Sequence, residues 1–292
     1  MPTVSPVQIP PVYHHRVGDI QVTALSDGTL ERSLDLLRSV TVDEAQKLLA
    51  DAFRPGVVIS VNAFVLRSNG RTILIETGSG KYLGASAGHL LSNMAAAGID
   101  PTAVDTVLLT HMHPDHSAGL TDMTTGKAHF PNAELVVHEN EPRHWDDDAA
   151  MARGTERQKL LFFQQARDQM APYRDRMRTF RQGEVAPGVT AIPCHGHTPG
   201  HSGFLVSSGG HQLLVWGDMV HIPEVQIPRP EVTIDFDTDP QSAAASRKRI
   251  FDMAASERLL VTGMHLHFPG FGHLSRHGNG YAFHPQAWQQ IL

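Results

Sequence analysis

The sequence predicts an α/β protein made of two similar halves. Two hairpin-forming stretches run in step over 15 residues: FVLRSNGRTILIETG begins at Phe64, and FLVSSGGHQLLVWGD begins at Phe204. A predicted helix and then a short buried strand follow each stretch, and each of these strands leads to a histidine. This repetition favours a duplicated unit over the alternative interpretation, a chance similarity of two hairpins.

The elements of the first half follow from local patterns. Alternating apolar and polar residues in GDIQVTALSDG predict a half-buried strand that runs into a turn at Asp27-Gly28. TVDEAQKLLADAF is a predicted helix, because Thr41 is a candidate N-cap and Glu44 completes a capping box. Ser68-Asn69-Gly70 joins two β-branched runs as a hairpin turn, since Asn and Gly tolerate positive φ. A short helix, GHLLSNMAAAGID, precedes the buried strand DTVLLT.

The rest of the chain continues this pattern. AELVVHENE predicts a strand, and residues 155–178 a mostly helical stretch that Pro172 interrupts. GVTAIPC predicts a strand that opens onto HGHTPGH, and the second hairpin turns at Ser-Gly-Gly. Asp239 as N-cap and Pro240 at the first helical position predict the helix DPQSAAASRKRIFDMAAS. RLLVTGMH is the last predicted strand.

Length and composition favour one domain. The chain has 292 residues, of which 41% are hydrophobic, enough to fill a substantial core. We therefore expect a single domain over residues 1–292, with a Pro-rich N-terminal arm at about residues 1–12. One interpretation of the arm is that it packs across a partner subunit in a homodimer.

Charge and the N-terminal pattern narrow the classes of partner. A formal charge of -6 disfavours nucleic-acid and anionic membrane surfaces. The expected partner is a small molecule, neutral or hydrophobic, with no nucleic acid and no membrane. Because the first residues lack the pattern of a signal peptide, we expect a cytoplasmic protein, or a periplasmic or secreted one if a signal peptide has been removed.

The 19 histidines recur in short strings that carry metal-ligand residue types. Four strings, HMHPDH, HTPGH, WGD and GMH, each stand at a strand end or turn. They offer seven donors: His111, His113, Asp115, His116, His201, Asp218 and His265. Seven donors exceed what one tetrahedral zinc ion uses. The pattern therefore indicates two metal ions that share one carboxylate, for which Asp218 is our choice.

The string HMHPDH, followed by HTPGH, GD and a late histidine, resembles the HxHxDH signature set of the metallo-β-lactamase superfamily. More narrowly, ALSDGT, THMHPDH, HGHTPGH, WGDMVH and MHLHFPGFGH look like the methyl parathion hydrolase branch, which is also similar to N-acyl-homoserine lactonases. The resemblance implies an αβ/βα four-layer sandwich, in which two β-sheets are flanked by helices and a binuclear site lies between the sheets.

The resemblance also implies a division of the donors. One metal ion takes His111, His113 and His201, the other takes Asp115, His116 and His265, and Asp218 bridges them. The cofactors are then two divalent ions, with zinc expected and iron, manganese or cobalt as alternatives. Family members usually have an aspartate where this chain has Glu76, and we expect Glu76 to contact a ligand imidazole instead. His197 is expected beside the ligands rather than among them.

Other residues near these strings have both a structural and a functional interpretation. Adjacent strand residues face opposite sides, so Cys194 beside His195 is a structural thiol rather than a nucleophile. His267 is a rival to His265, which directly follows the strand. Segments that flank the site in the resembling enzymes contain large apolar residues, many of them core. From these we expect four to bind substrate: Trp145, Phe268, Met219 and Ile222.

The chemistry implied by the resemblance is hydrolysis by a metal-bridging hydroxide. We expect attack on a lactone or ester carbonyl, with promiscuous hydrolysis of organophosphate triesters. Asp115 passes a proton to the leaving group, and Asp218 holds the ions in register. A primary phosphotriesterase is the first alternative, and an iron-dependent dioxygenase or another redox member of the fold is the second. A non-catalytic binding module would be expected to have lost ligands, whereas all seven donors are present.

Overall fold

The structure is a computed structural model that describes residue 8 and residues 11–290, so most of the predicted N-terminal arm at residues 1–12 lies outside the described residues. The strands are β1 (Val12–Val17), β2 (Ile20–Arg32), β3 (Leu37–Arg38), β4 (Val57–Ser68), β5 (Arg71–Ile75), β6 (Thr106–Leu108), β7 (Glu134–His138), β8 (Met177–Phe180), β9 (Gly183–Ala186), β10 (Val189–Pro193), β11 (Ser202–Ser208), β12 (His211–Val215), β13 (Thr233–Ile234), β14 (Leu260–Thr262), β15 (Gly272–His277) and β16 (Gly280–Pro285).

The α-helices are α1 (Val42–Asp51), α2 (Leu90–Ala96), α3 (Pro114–Ser117), α4 (Asn140–Trp145), α5 (Asp148–Arg153), α6 (Glu156–Gln158), α7 (Gln165–Met170), α8 (Pro223–Gln226) and α9 (Pro240–Ser256). A π-helical segment, Lys159–Gln164, joins α6 to α7, and 3-10 turns span Leu34–Leu36, Pro101–Ala103, Ala118–Leu120 and Ala171–Arg176. In the described ranges no helix combines the length and apolar character that a membrane crossing requires.

Two seven-stranded mixed sheets form the centre of the fold. The first has the order β1-β2-β4-β5-β6-β7-β8, and the second has the order β16-β15-β14-β12-β11-β10-β9. In the first sheet β5, β6, β7 and β8 run parallel, and in the second the parallel pair is β12 and β14. β3 and β13 form a separate two-stranded ribbon.

The hydrophobic core is divided into layers, as the predicted sandwich requires. One buried cluster joins the facing sides of the two sheets and contains Phe64 and Phe204. A second cluster lies between the first sheet and α2 and α7, and includes Met94 and Met170. A third lies between the second sheet and α9, and includes Phe251. Helix, sheet, sheet and helix therefore stack in four layers, which confirms the predicted α/β sandwich.

The two halves share a common register at their hairpins. Phe64 pairs with Ile75 across β4 and β5, and Phe204 pairs with Val215 across β11 and β12. In each half a helix then leads to a strand that lies parallel to the second hairpin strand, β6 beside β5 and β14 beside β12. The sequence similarity of the two hairpin stretches thus corresponds to two units of the same local topology.

Local signals fixed several element ends, and one predicted turn was wrong. Thr41 caps α1, and Glu44 completes the capping box. Asn69 and Gly70 adopt φ of 50° and 75° in the predicted hairpin turn. Asp27-Gly28, by contrast, is not a turn, because β2 continues to Arg32 with a bulge between Ser26 and Gly28. Gly28 has φ of 129°, a backbone conformation that lets a glycine bulge stay within a strand.

Candidate metal centre

The predicted donors lie in segments that follow strands of both sheets. His111 and His113 lie in the loop after β6, and Asp115 and His116 lie on α3, which begins at Pro114. The remaining predicted donors come from the second half: His201 between β10 and β11, Asp218 after β12, and His265 after β14. Two further histidines, His197 and His221, lie in the same segments as His201 and Asp218. These segments meet where the two sheets face each other.

One carboxylate oxygen lies at the centre of the cluster. Oδ2 of Asp218 is 3.2 Å from Nε2 of His116 and 3.3 Å from Nε2 of His265. It is also 3.2 Å from Nε2 of His197 and 3.7 Å from Nε2 of His111. Burial by itself would raise the pKa of Asp218, but the surrounding imidazoles, His116 first, hold that pKa well below its usual value. Asp218 is therefore an anion enclosed by imidazoles from both halves of the chain.

Two groups of donors share the neighbourhood of Asp218. In the first, Nδ1 of His113 lies 3.0 Å from Nε2 of His111 and 2.9 Å from Nε2 of His197. In the second, Asp115 lies 3.7 Å from Nε2 of His116 and 3.4 Å from Nε2 of His265. Each group could hold one metal ion. A binuclear site needs two such donor groups that share one carboxylate.

The protonation of two of these rings and the hydrogen bonding of two others suit a metal. Burial, followed by the neighbouring imidazoles, lowers the pKa of His111 well below its ordinary value, and the same holds for His113. Neutral imidazole is the form that binds a metal ion. Burial by itself would lower the pKa of His116, His197 and His265, but the charge of Asp218 raises the pKa of all three. Nε2 of His116 and Nε2 of His265 are buried and have no hydrogen-bond partner among the described residues. Buried polar atoms without partners are costly, and a bound cation would satisfy both.

His197 occupies the place that the sequence analysis gave to His201. Nδ1 of His201 bonds to the backbone oxygen of Cys194 over 2.9 Å, and Nε2 of His201 accepts the backbone N–H of Asp218 over 2.9 Å. Both ring nitrogens are thus occupied, and Nε2 has no lone pair left for a metal ion. His197 instead directs Nε2 into the cluster, while its Nδ1 bonds to Asp237 over 2.8 Å. The geometry therefore supports the opposite assignment, with His197 facing the cluster and His201 supporting the backbone of Asp218.

Acidic side chains behind the cluster orient its imidazoles. Oε2 of Glu76 lies 3.3 Å from Nδ1 of His116, and Oε1 of Glu76 accepts the backbone N–H of Thr110 over 2.8 Å. The longer side chain of glutamate thus reaches the imidazole that we expected it to contact. Asp237 acts in the same way on His197. Such partners fix the ring orientation of metal-binding histidines.

A further carboxylate, Glu141, ties the two donor loops together, and the sequence analysis did not identify it. It accepts hydrogen bonds from the backbone N–H of Met112 over 3.0 Å and of Gly200 over 2.8 Å. The side chains of Trp145 and Thr198 donate to it as well. Glu141 is fully buried, so four donors satisfy a carboxylate that has no contact with water. In the sequence, the position of Glu141 one helical turn before Trp145 was the signal that could have identified this contact.

His221 is a second functional candidate that the sequence analysis did not identify. Its side chain is buried, and its Nε2 lies 3.1 Å from Oδ2 of Asp218. Its ring stacks on that of His265, with 5.1 Å between the ring centroids. Its position three residues after Asp218 was the signal available in the sequence, because the short segment that leads into α8 directs the side chains of Asp218 and His221 toward each other.

Known proteins share the architecture described above. The metallo-beta-lactamase superfamily matches residues 56–265 of the chain. The chain belongs to this superfamily. The family expected from the motifs is thereby confirmed.

Similar proteins include members of the superfamily and lactonases. The crystal structure of the hydrolase AbOPH, of the beta lactamase superfamily, is 33% identical with a TM-score of 0.91, over 97% of this chain and 100% of that one. AidC, a dizinc quorum-quenching lactonase, is 23% identical with a TM-score of 0.90, over 96% and 99% of the two chains, a similarity that shows the fold. The N-acyl homoserine lactonase AiiB of Agrobacterium fabrum (strain C58 / ATCC 33970) is 28% identical over 101 residues, which span 28% of this chain and only 34% of that protein.

A cavity of about 420 Å³ gives this superfamily member access to its cluster. Five residues of the cluster reach the cavity: His113, Asp115, His197, Asp218 and His221. The lining also includes six apolar residues, which form the apolar wall: Leu36, Ile59, Leu83, Leu161, Phe162 and Phe236. A concave apolar site with a few polar groups at its base is typical of a small-molecule binding site.

The four residues predicted to bind substrate are not on this wall. Trp145 is buried and donates to Glu141 behind the cluster. Met219 is buried against the third core cluster, and Ile222 is buried beneath α1 and α8. Phe268 lines a different cavity, of about 470 Å³, near β15 and β16. The lining of the cavity therefore does not support these four residues as substrate contacts, because proximity along the sequence to a donor does not fix which side chains reach the cavity.

Proposed function

We propose that this metal-dependent hydrolase holds two divalent metal ions that share Asp218. In the proposed division one ion takes His111, His113 and His197, and the other takes Asp115, His116 and His265. The observation that carries the proposal is the position of Asp218 Oδ2 among imidazoles from both halves of the chain. Imidazole and carboxylate donors suit zinc, with iron, manganese or cobalt as alternatives.

The proposed reaction is hydrolysis of a lactone or an ester. Ions bound at this site would supply a water molecule of lowered pKa, about 7 instead of 15.7, and a positive charge beside the attacked group. The chain itself supplies the remaining functions. Asp218 holds the two halves of the site at a fixed separation. Asp115 faces the cavity with 16% of its side chain exposed, which suits it to carry a proton to the leaving group.

The apolar wall of the cavity supports a substrate with an acyl or alkyl part. Phe162 and Phe236 come within 6.4 Å of each other, measured between ring centroids, and form part of this wall. The similarity to AidC and AiiB, which are described as lactonases, supports a lactone rather than another carbonyl compound as the substrate. Primary hydrolysis of phosphotriesters is the second candidate, because the motifs resemble those of the methyl parathion hydrolase branch and the same chemistry serves phosphorus. A redox reaction of an iron-loaded site is the third.

Parallel kinetics on three substrates test the proposal. The zinc-loaded protein is assayed with an N-acyl-homoserine lactone, an aryl ester and an aryl dialkyl phosphotriester, and values of kcat/KM are compared. We expect the lactone or the ester to exceed the phosphotriester by at least about 100-fold, a difference of about 2.7 kcal/mol in transition-state binding. The Asp218→Ala variant is the control for contaminating activity.

The possible results separate the candidate functions. Preference for the phosphotriester would replace the proposed reaction with the second candidate. If the protein binds two ions but hydrolyses none of the three compounds, the proposed reaction is wrong, and oxygen consumption by the iron-loaded protein then tests the redox candidate.

A further inference from the structure

The cavity beside the cluster has a basic side as well as an apolar one. Arg32, the last residue of β2, and Arg157, on α6, both line it, as does an apolar group that includes Phe162. Arg32 is partly buried, and Arg157 is exposed. Burial lowers the pKa of Arg32, the charge of Asp115 raises it, and the like charge of Arg157 lowers it again. The like charges of the two guanidinium groups in the lining of this cavity thus act on each other.

Within residues 11–290, neither guanidinium group has a carboxylate partner within 4.0 Å. Arg32 donates to the backbone oxygen of Glu31 over 2.9 Å, and this is its one recorded hydrogen bond among those residues. Two neighbouring cations without a counter-ion destabilise each other, and the repulsion is greatest where one of them is partly buried. Neither cation therefore has an ion pair among these residues, although the charge of Asp115 acts on Arg32.

The carboxylates that line the same cavity have other partners. Asp235 forms an ion pair with Arg38. Asp115 and Asp218 face the imidazoles of the cluster. Glu31 is the fourth carboxylate in the lining, and its side chain is exposed. With a single negative charge, it could balance at most one of the two cations. Asp115 thus offsets part of the charge of Arg32, and no carboxylate that lines the cavity forms an ion pair with either arginine.

We propose that the two arginines recognise a negatively charged group of the substrate, so that the hydrolysed compound is an anionic lactone or ester. The inference rests on the proposed function, and it names the class of substrate for that site. A guanidinium group binds a carboxylate through two parallel hydrogen bonds. The apolar side of the cavity holds the acyl or alkyl part, while the anionic end faces Arg32 and Arg157.

The net charge of the chain does not oppose this substrate. The formal charge of -6 led us to expect a neutral or hydrophobic molecule. Salt screens exposed charges beyond about 10 Å at an ionic strength of about 0.1 M. A bound group therefore responds to the two local cations more than to the distributed charge of the surface.

A pair of matched esters tests the inference. The zinc-loaded protein is assayed with 4-nitrophenyl valerate and with mono-4-nitrophenyl glutarate, which have acyl chains of equal length and differ in a terminal carboxylate. We expect Arg32→Gln and Arg157→Gln to reduce the kcat/KM ratio of the glutarate ester to the valerate ester by at least about tenfold each, mainly through KM. Arg153→Gln, at the exposed end of α5 and outside the cavity, is the matched control and is expected to leave the ratio unchanged.

A binding measurement separates this inference from the proposed reaction. Calorimetric titration with the two products, glutarate and pentanoate, requires no turnover, and we expect glutarate to bind at least about tenfold more tightly to the parent protein but not to Arg32→Gln. If the ester ratio and the product affinities are the same in the parent and both variants, the inference is overturned. If neither ester is hydrolysed, the proposed reaction fails, and the titration alone decides the inference.

Discussion

The imidazole of His201 accepts a hydrogen bond from the backbone N–H of Asp218 over 2.9 Å. This contact places His201 beneath the loop that carries the central carboxylate. His197, four residues earlier, directs Nε2 to Oδ2 of the same aspartate over 3.2 Å. The two histidines of HTPGH thus have different roles, because His201 supports the backbone of Asp218 and His197 faces its side chain.

Substitution of each histidine is expected to give a different defect. His197→Ala removes a proposed donor and should weaken the binding of one metal ion by at least about 100-fold, the upper end of the effect of removing a supporting residue. His201→Ala leaves a buried N–H without an acceptor and should lower the free energy of unfolding by about 1–3 kcal/mol. Chelator competition and urea unfolding measure the two effects. The opposite pattern, with loss of the ion only in His201→Ala, would restore the assignment made from the sequence.

The buried carboxylate of Glu141 provides a test of how the donor loops are held. Its two oxygens accept from four donors, two of them the backbone N–H groups of Met112 and Gly200. In Glu141→Gln an amide N–H₂ replaces one acceptor and faces donors, so we expect the free energy of unfolding to fall by about 1–3 kcal/mol. Urea unfolding of the metal-free protein measures the change.

Glu156→Gln is the matched control for this change. Glu156 is exposed and pairs with Lys159 on the surface, so its substitution should alter the free energy of unfolding by no more than about 0.5 kcal/mol. Equal effects of the two substitutions would show that Glu141 does not hold the loops.

The cavity wall predicts a kinetic difference between two phenylalanines. Phe162 lines the cavity, whereas Phe268 lies in the other cavity, near β15 and β16. We expect Phe162→Ala to raise KM for a long-chain acyl substrate by about tenfold or more, because it removes apolar contact area with the chain. Phe268→Ala should leave KM unchanged. An increase in KM for Phe268→Ala alone would indicate that the substrate occupies the second cavity.

The single thiol offers a probe of folding. Cys194 is buried, and burial raises its pKa to about 12. Because the thiolate is the reactive form, we expect the folded protein to resist thiol reagents at about pH 8 and to be labelled once per chain in urea. Rapid labelling of the folded protein would contradict both the burial and the structural role of this residue.

Much of the fold could be predicted because its signals are local. The capping box of Thr41 and Glu44 and the Asn69-Gly70 turn depend on neighbours in the chain, and both appear as predicted. The bulge at Gly28 could not be predicted in this way. It depends on pairing with β4, and the sequence of β2 alone resembles a strand that ends in a turn.

The site could be predicted in part. The string HMHPDH places His111 and His113 in the cluster because a short loop and a short helix leave little freedom. The choice between His197 and His201 was beyond the sequence, since it depends on which ring meets the backbone of Asp218. The position of Trp145 outside the cavity lining has the same origin. Its direction is set by Glu141, a partner that the sequence analysis did not identify.

The central claim is that two metal ions share Asp218, and the metal content of the protein tests it most directly. The purified chain is saturated with zinc, freed of excess ions and analysed for metal per chain beside Asp218→Ala. We expect about two ions in the parent protein and fewer than about one in the variant, because the variant removes the donor common to both groups. A parent protein that retains one ion or none, or a variant that still retains two, would contradict the account.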